Sequence, residues 1–192
     1  VDEKGVLYAV NYQQEGTIGA VTGSNQVALL LKLKNGSIGN GIRFDKKGNM
    51  YIADYVNHNI LKVTAASLNG HQETEPEVFL HAHSPLMNQP NDIAIMSNGT
   101  LFASDPNWGE NNGQLWRISL NGGVKLLEKN MGTTNGIEIS PNNKGLNVND
   151  MTKELLSSGI QAAKVTEFYN QAANIELKDN LVDTVKYSEI IG

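Results

Sequence analysis

Asn91-Asp92-Ile93-Ala94-Ile95, continued at Asn98-Gly99-Thr100-Leu101-Phe102-Ala103-Ser104-Asp105, is the stretch that decides the fold. It reads as a short strand, a polar turn, and a second apolar strand that stops on an acid. Asn-Gly suits the turn because both residues tolerate the positive φ of a tight hairpin. The pattern recurs on both sides. Asn40-Gly41-Ile42-Arg43-Phe44-Asp45 leads into Gly48-Asn49-Met50-Tyr51-Ile52-Ala53-Asp54. Asn135-Gly136-Ile137-Glu138-Ile139 leads into Lys144-Gly145-Leu146-Asn147-Val148-Asn149-Asp150. The opening residues, Val1 to Asn11, match the second half of the unit, with Asp2 and Gly5 where Asp45 and Gly48 stand.

Equivalent positions in successive units lie 43, 51 and 44 residues apart. A further strand pair follows each unit, for example Asn59-Ile60-Leu61-Lys62-Val63 and Gln114-Leu115-Trp116-Arg117-Ile118. About four strands at that period is the signature of a β-propeller blade, and a β-sandwich does not repeat one motif at such a length. Residues 1–150 therefore read as all-β, with about three and a half blades. Residues 151–192 carry no blade motif. Apolar residues at helical spacing predict a helix over 151–173, and 182–191 reads as a strand or a further short helix.

Composition narrows the function. Fifteen Lys and Arg against 20 Asp and Glu give a formal charge of −5, without the basic stripe that nucleic acid requires. No run approaches the roughly 18 apolar residues of a membrane span. Residues 1–20 hold Asp2, Glu3 and Glu15 and no apolar h-region, so they do not read as a signal peptide. A soluble protein is expected, in the cytoplasm in preference to the periplasm or outside. There is no cysteine, which excludes disulfides, thiolate nucleophiles and zinc–thiolate sites. No Gly-x-Ser-x-Gly elbow, P-loop or dinucleotide fingerprint occurs, which argues against serine-hydrolase and nucleotide chemistry. His81 and His83 stand in a polar, Pro-flanked stretch that reads as a loop.

The first strand of each blade lines the propeller channel. Asn40, Asn91 and Asn135 stand at its start in three units and are the candidates for side chains converging on the axis. Converging oxygens make a site for a hard divalent cation such as calcium or magnesium.

Pro90-Asn91-Asp92-Ile93-Ala94 with Asn98-Gly99-Thr100-Leu101-Phe102-Ala103-Ser104-Asp105-Pro106 resembles the SMP-30/gluconolactonase/LRE-like family. So do Gly113-Gln114-Leu115-Trp116-Arg117-Ile118 and Thr134-Asn135-Gly136-Ile137-Glu138-Ile139-Ser140-Pro141. The resemblance covers residues 1 to about 150. It implies a six-bladed propeller with one divalent metal in the channel, most readily Ca2+, with Zn2+, Mg2+ or Mn2+ as alternatives. It implies hydrolysis of a small lactone, typically a sugar lactone. Asn91 carries over as a metal ligand or the substrate-facing residue beside it, Asn135 as a metal ligand, and Asp92 as an orienting residue behind them; Asn40, at the same repeat position, is a candidate to stand behind the ligands or to bind substrate. The family's Glu, in a Glu-Gly-Pro stretch before the position of Val1, and its later Asp, beyond Asp150, have no counterpart here. The general base is therefore unassigned.

So few blades leave an open ring. A fragment or composite of a longer chain, a permuted chain with 151–192 ahead of Val1, and self-association of two copies are the three ways to close it. A non-catalytic propeller that binds a partner on its loops is the alternative to the lactonase.

Overall fold

The computed structural model describes residues 1–11, 13–24, 26–70, 75–150, 171–178 and 181–189. Among them the strands form four antiparallel sheets. The first holds β1 (Leu7–Val10), β2 (Thr17–Gly23) and β3 (Gln26–Lys32). The second holds β4 (Gly39–Phe44), β5 (Met50–Asp54), β6 (Asn59–Val63) and β7 (Val78–His83), with the short helix α1 (Ala65–Asn69) between the last two. The third holds β8 (Ile93–Ile95), β9 (Leu101–Asp105), β10 (Gln114–Ile118) and β11 (Val124–Glu128). The fourth holds β12 (Thr134–Ile139), β13 (Gly145–Asp150), β14 (Gln171–Lys178) and β15 (Leu181–Glu189). Within each sheet the strands follow chain order, each pairing with the next.

The sheets stack face to face, and strand alternation shows why. In β5, Met50 and Ile52 turn to the first sheet and pack with Ile18, Leu31 and Leu33. Tyr51 and Ala53 turn the other way and pack with Ile93, Leu101 and Trp116 of the third. In β9, Leu101 and Ala103 meet the second sheet, while Phe102 meets Ile137, Leu146 and Val148 of the fourth. Successive residues of a strand face opposite ways, so a strand that is apolar throughout needs a partner on each side. Every residue of β5 and β9 is buried. Stacked sheets whose first strands β4, β8 and β12 adjoin are propeller blades.

β1 is the second strand of its blade, as the match of Asp2 to Asp45 requires. Both turns close in the same way. Asp2 accepts from the backbone N–H of Lys4 and Val6 and from the Tyr8 hydroxyl; Asp45 accepts from those of Lys47 and Asn49 and from the Tyr51 hydroxyl. Gly5 and Gly48 sit at φ +80° and +77° in these turns, where a Cβ would strain the backbone.

Three expectations change. The helix expected over 151–173 lies outside the described residues as far as 170, and Gln171–Ala173 opens strand β14. Pairing with β13 explains this: Val148 stands opposite Ala173 and Leu146 opposite Ile175, so the exposed ladder of β13 is satisfied by an alternating segment. The later part of the tail, expected to lie outside the repeat, supplies the two outer strands of the fourth blade. The polar stretch around His81 and His83 is β7, an outer edge strand, where one face meets solvent and polar residues fit. No described helix is long and apolar enough to cross a membrane.

Burial sets the expected mutational contrast. Phe102 is fully buried between two blades, while Leu29 on the outward face of the first sheet is 68% exposed. Phe102→Ala should destabilise by about 3–5 kcal/mol, and Leu29→Ala should stay within about 0.5 kcal/mol of the parent. Urea unfolding measures both; equal losses would contradict the stacked-blade packing. The repeated turn gives a second test. Burial, with the adjacent Asp2 or Asp45, pushes the Tyr8 and Tyr51 hydroxyls up to about 12. Their contribution to stability is complete below the unfolded value of 10.0 and is lost as pH rises through about 12. Ultraviolet titration should show two late phenols, and Tyr51→Phe should remove one.

Candidate functional site

Asn40 and Asn135 lie on the inner strands β4 and β12 and Asn91 just ahead of β8, and hydrogen bonds join these segments in series. The Gly41 N–H donates to the Asn91 carbonyl at 2.7 Å. The Asn91 N–H donates to the Ser104 carbonyl at 2.9 Å, and the Ser104 hydroxyl donates to the Asn135 carbonyl. One residue, Ser104, thus touches the backbone of both Asn91 and Asn135. Asn91 is 8% exposed and its side chain makes no hydrogen bond among the described residues, which leaves the amide available to a ligand.

Asn40-Gly41 and Asn135-Gly136 are not turns. Both pairs lie inside strands, at register shifts between Gly39 and Ile42 and between Thr134 and Ile137. Such bulges re-aim side chains. Gly41 is required there for closeness: a Cβ would stand 2.7 Å from the Asn91 carbonyl oxygen and 2.8 Å from Asp92 Cα.

Asp92 ties three blades together. Its carboxylate accepts from the Arg43 guanidinium of β4 at 3.1 Å, from its neighbour Ile93 N–H at 2.9 Å, and from Ile137 N–H of β12 at 3.4 Å. Arg43 also approaches Glu138 at 3.9 Å. Burial holds the Asp92 carboxyl above the ordinary carboxylate range, with Arg43 and the two N–H groups pulling it back.

The other buried acids are also committed. Asp54, fully buried, accepts from the N–H of Ile38, Val56 and Asn57 and from the Asn59 amide. Asp105, fully buried, accepts from the N–H of Asn88 and Gln89 and from the Trp116 indole. Asn11 holds the same position after β1 and accepts from the N–H of Gln13 and Gln14.

These three positions shape a cavity of about 140 Å3 at the loop end of the first three blades. Glu15, Asn40, Tyr55, Gln89 and Trp108 line it; Asn91, Asn135 and Asp92 do not. Of the sequence candidates, then, Asn91, Asp92 and Asn135 are joined through Ser104, and Asn40 lines the cavity instead. The loop residues Glu15, Tyr55, Gln89 and Trp108 carried no motif. Their one sequence signal is the Asn or Asp that closes each second strand, which recurs because it holds these loops.

The fit to a divalent cation is incomplete. The described residues offer two neutral amides, whereas affinity for a hard cation comes mainly from carboxylate charge. Asp92 spends its oxygens on Arg43 and backbone N–H groups. No described group of three His, Cys, Asp or Glu side chains is placed to hold a metal.

A family model, the SMP-30/gluconolactonase/LRE-like region, matches residues 2–184. The chain belongs to this family. The match runs past the limit near 150 read from the motifs, as the strands β14 and β15 require. No curated protein matches the sequence. Among solved structures, virginiamycin B lyase from Staphylococcus aureus, in a catalytically inactive form with quinupristin, is 14% identical with a TM-score of 0.69, over 99% of this chain and 54% of that one. A gluconolactonase from Xanthomonas campestris is 13% identical with a TM-score of 0.63, over 89% and 54%. The calcium-binding protein regucalcin from Agrobacterium tumefaciens is 15% identical with a TM-score of 0.55, over 85% and 53%. These likenesses carry the propeller fold. The chain spans about half the length of each of these structures.

The Arg43–Asp92 pair predicts a pH-dependent defect. Removing Arg43 leaves the Asp92 charge without its counterion. Arg43→Met should cost about 1–2 kcal/mol at neutral pH, a modest loss because the Arg43 side chain is 37% exposed and water screens the pair. A carboxyl whose folded pKa lies above its unfolded 3.8 is neutral in both states below that value, so the defect should fade on acidification. Thermal melting of both proteins across pH reads it; a pH-independent defect would assign Arg43 a packing role alone.

Proposed function

We propose that the chain is the site-bearing part of a hydrolase of small cyclic esters, of the gluconolactonase type, whose turnover depends on a divalent cation, calcium before zinc, magnesium or manganese. Family membership supports the reaction class. The observation that carries the reading is the Asn91 amide, buried and unpartnered among the described residues, next to Asn135 across Ser104. Its polar atoms are not among the sealed-off unpartnered ones of the described residues, so they are open to a ligand. A hard cation suits an amide oxygen.

With two amides and no uncommitted buried carboxylate among the described residues, this chain alone should bind calcium weakly, with Kd on the order of 10⁻³ M. The charge that completes the site has to come from other carboxylates. Asn91→Asp should tighten the ion. The commitment of Asp54, Asp92 and Asp105 to backbone and side-chain donors supports a second reading, a propeller that binds a partner without catalysis.

Lactone hydrolysis followed by proton release separates the two. Calcium should stimulate turnover and a chelator should abolish it. Asn91→Ala and Asn135→Ala should each lose the metal-dependent rate while melting near the parent temperature. No turnover at any metal concentration, or full activity in both variants, would overturn the lactonase reading.

A further inference from the structure

Seven Asn-Gly pairs occur in the chain, beginning at Asn35, Asn40, Asn69, Asn98, Asn112, Asn121 and Asn135, and the fold treats one of them differently from the rest. Asparagine is a thermolabile residue, and a glycine after it leaves the backbone nitrogen unobstructed by any Cβ. Loss of the amide needs three things at once. The side chain must be free to swing onto the backbone, the glycine N–H must be free to give up its proton, and there must be room for the ring that forms.

The other six pairs are restrained. The N–H groups of Gly41, Gly70, Gly99, Gly113 and Gly122 each donate to a backbone carbonyl, of Asn91, Ala66, Met96, Gly132 and Ser119 in turn. Several of the asparagine side chains are engaged as well: the Asn69 oxygen accepts from the Lys4 ammonium, that of Asn98 from the Thr100 N–H, and that of Asn112 from the Asn107 amide. Asn135-Gly136 lies inside β12, where Ser104 holds the Asn135 carbonyl and ladder pairs flank the two residues at Thr134 and Ile137.

Asn35-Gly36 has none of these restraints. It is the centre of a turn between β3 and β4, closed by the Ser37 N–H on the Lys34 carbonyl at 3.0 Å, with φ of +57° at Asn35 and +73° at Gly36. Both residues are exposed. Neither the Asn35 side chain nor the Gly36 N–H makes a hydrogen bond among the described residues. Beyond the chain neighbours, no described atom lies within 4 Å of where a Cβ on Gly36 would stand. The Asn35 carbonyl, by contrast, is in use. It accepts from the Asn57 amide at 3.1 Å, and that amide also donates to Ser37 Oγ at 3.0 Å. Asp54 holds the same junction through the N–H groups of Ile38 and Asn57. The turn is thus pinned to the second blade by its main chain while its reactive groups stand free.

We propose that Asn35 is a site of spontaneous covalent modification, the one Asn-Gly pair that the fold leaves open to it, and that its conversion to aspartate and isoaspartate loosens the joint between the first two blades. The Gly36 nitrogen gives its proton to hydroxide and attacks Asn35 Cγ. The N–Cγ bond forms, the Cγ–Nδ2 bond breaks, and ammonia leaves with a proton from water. A second water then opens the five-membered imide. Opening at the side-chain carbonyl gives aspartate; opening at the main-chain carbonyl gives isoaspartate, in which the chain runs through Cβ and Cγ and is one atom longer. The balance is one water taken up and one ammonia released, with no oxidant or reductant. In isoaspartate the carbonyl that Asn57 held becomes a free carboxylate, so the Asn57 bond no longer fixes the path of the main chain into β4.

Incubation of the intact folded chain at mildly alkaline pH, followed by proteolytic mapping with mass spectrometry, reads all seven pairs in one sample. Asn35 should convert at least about five-fold faster than any of the other six, the factor that one retained backbone hydrogen bond is worth. The rate should rise with pH, and an isoaspartyl methyltransferase should label the peptide that contains residue 35. In urea the restraints are gone, and the seven pairs should convert at comparable rates. Asn35→Gln has a side chain one carbon too long for the five-membered ring; it should abolish labelling at residue 35 and leave the other six pairs as they were. The isoaspartate-bearing fraction of the aged parent should melt below the fresh chain, while Asn35→Gln should melt alike before and after ageing. Earlier conversion of another pair in the folded chain, a lead of Asn35 that persists in urea, or an isoaspartate-bearing fraction that melts with the fresh chain would each overturn the proposal.

Discussion

Burial of β5 and β9 on both faces is the constraint from which the rest of the structure follows. Ile52 and Tyr51 are neighbours in sequence, yet each is fully buried, against different blades. A two-layer sandwich buries one face of each sheet and wets the other. A strand buried on both faces can be accommodated only inside a stack, where each sheet is the floor of one core and the roof of the next. Three cores between four sheets result, and the order of the blades in space is the order of the chain. The inner strands are thereby forced side by side, and the polar residues at their ends meet with no further instruction.

That logic explains which parts of the fold were legible in the sequence. The inner two strands of each blade carry the repeat because they carry the constraint: apolar on both faces, closed by a turn with a fixed φ, stopped by an Asp or Asn that holds the next loop. The outer strands answer to fewer demands. β14 and β15 have the ladder of β13 to satisfy but no inner-strand turn motif. β7 has one face toward solvent, so His81 and His83 gave it the look of a loop. The Asn-Gly pairs were half legible. At Asn98-Gly99, where Gly99 has φ +84°, the pair marks a turn; at Asn40-Gly41 it marks the place where a neighbouring blade's carbonyl sits too close for any Cβ.

The site divides along the same line. Asn91, Asn135 and Asp92 were visible because they occupy the repeat. The cavity was not, because Glu15, Tyr55, Gln89 and Trp108 come from loops of three different blades with no common spacing. What the sequence did display was the residue behind them. Asn11, Asp54 and Asp105 recur at one position of the unit, and each accepts two or more backbone N–H groups from the loops around it. A repeated acid in a propeller invites reading as a ligand or a base. Here its oxygens are filled by the backbone, and its contribution is to position other residues.

Charge placement follows from that division. An acid buried against backbone N–H groups is stabilised locally, and one facing an arginine is neutralised across the channel, so neither adds much field at the axis. Asp92 shows the balance: burial works against its charge, and Arg43 and two N–H groups restore part of what burial removes. The inner strands are left with neutral amides, and Glu15 is the one carboxylate among the described residues that line the cavity. Neutral amides on the inner strands and a carboxylate on a loop are thereby kept apart in the fold. That separation requires the inner strands and the loops to be fixed independently, which the Asp92 bridge and the Asp54 and Asp105 clamps accomplish with different residues of the same repeat.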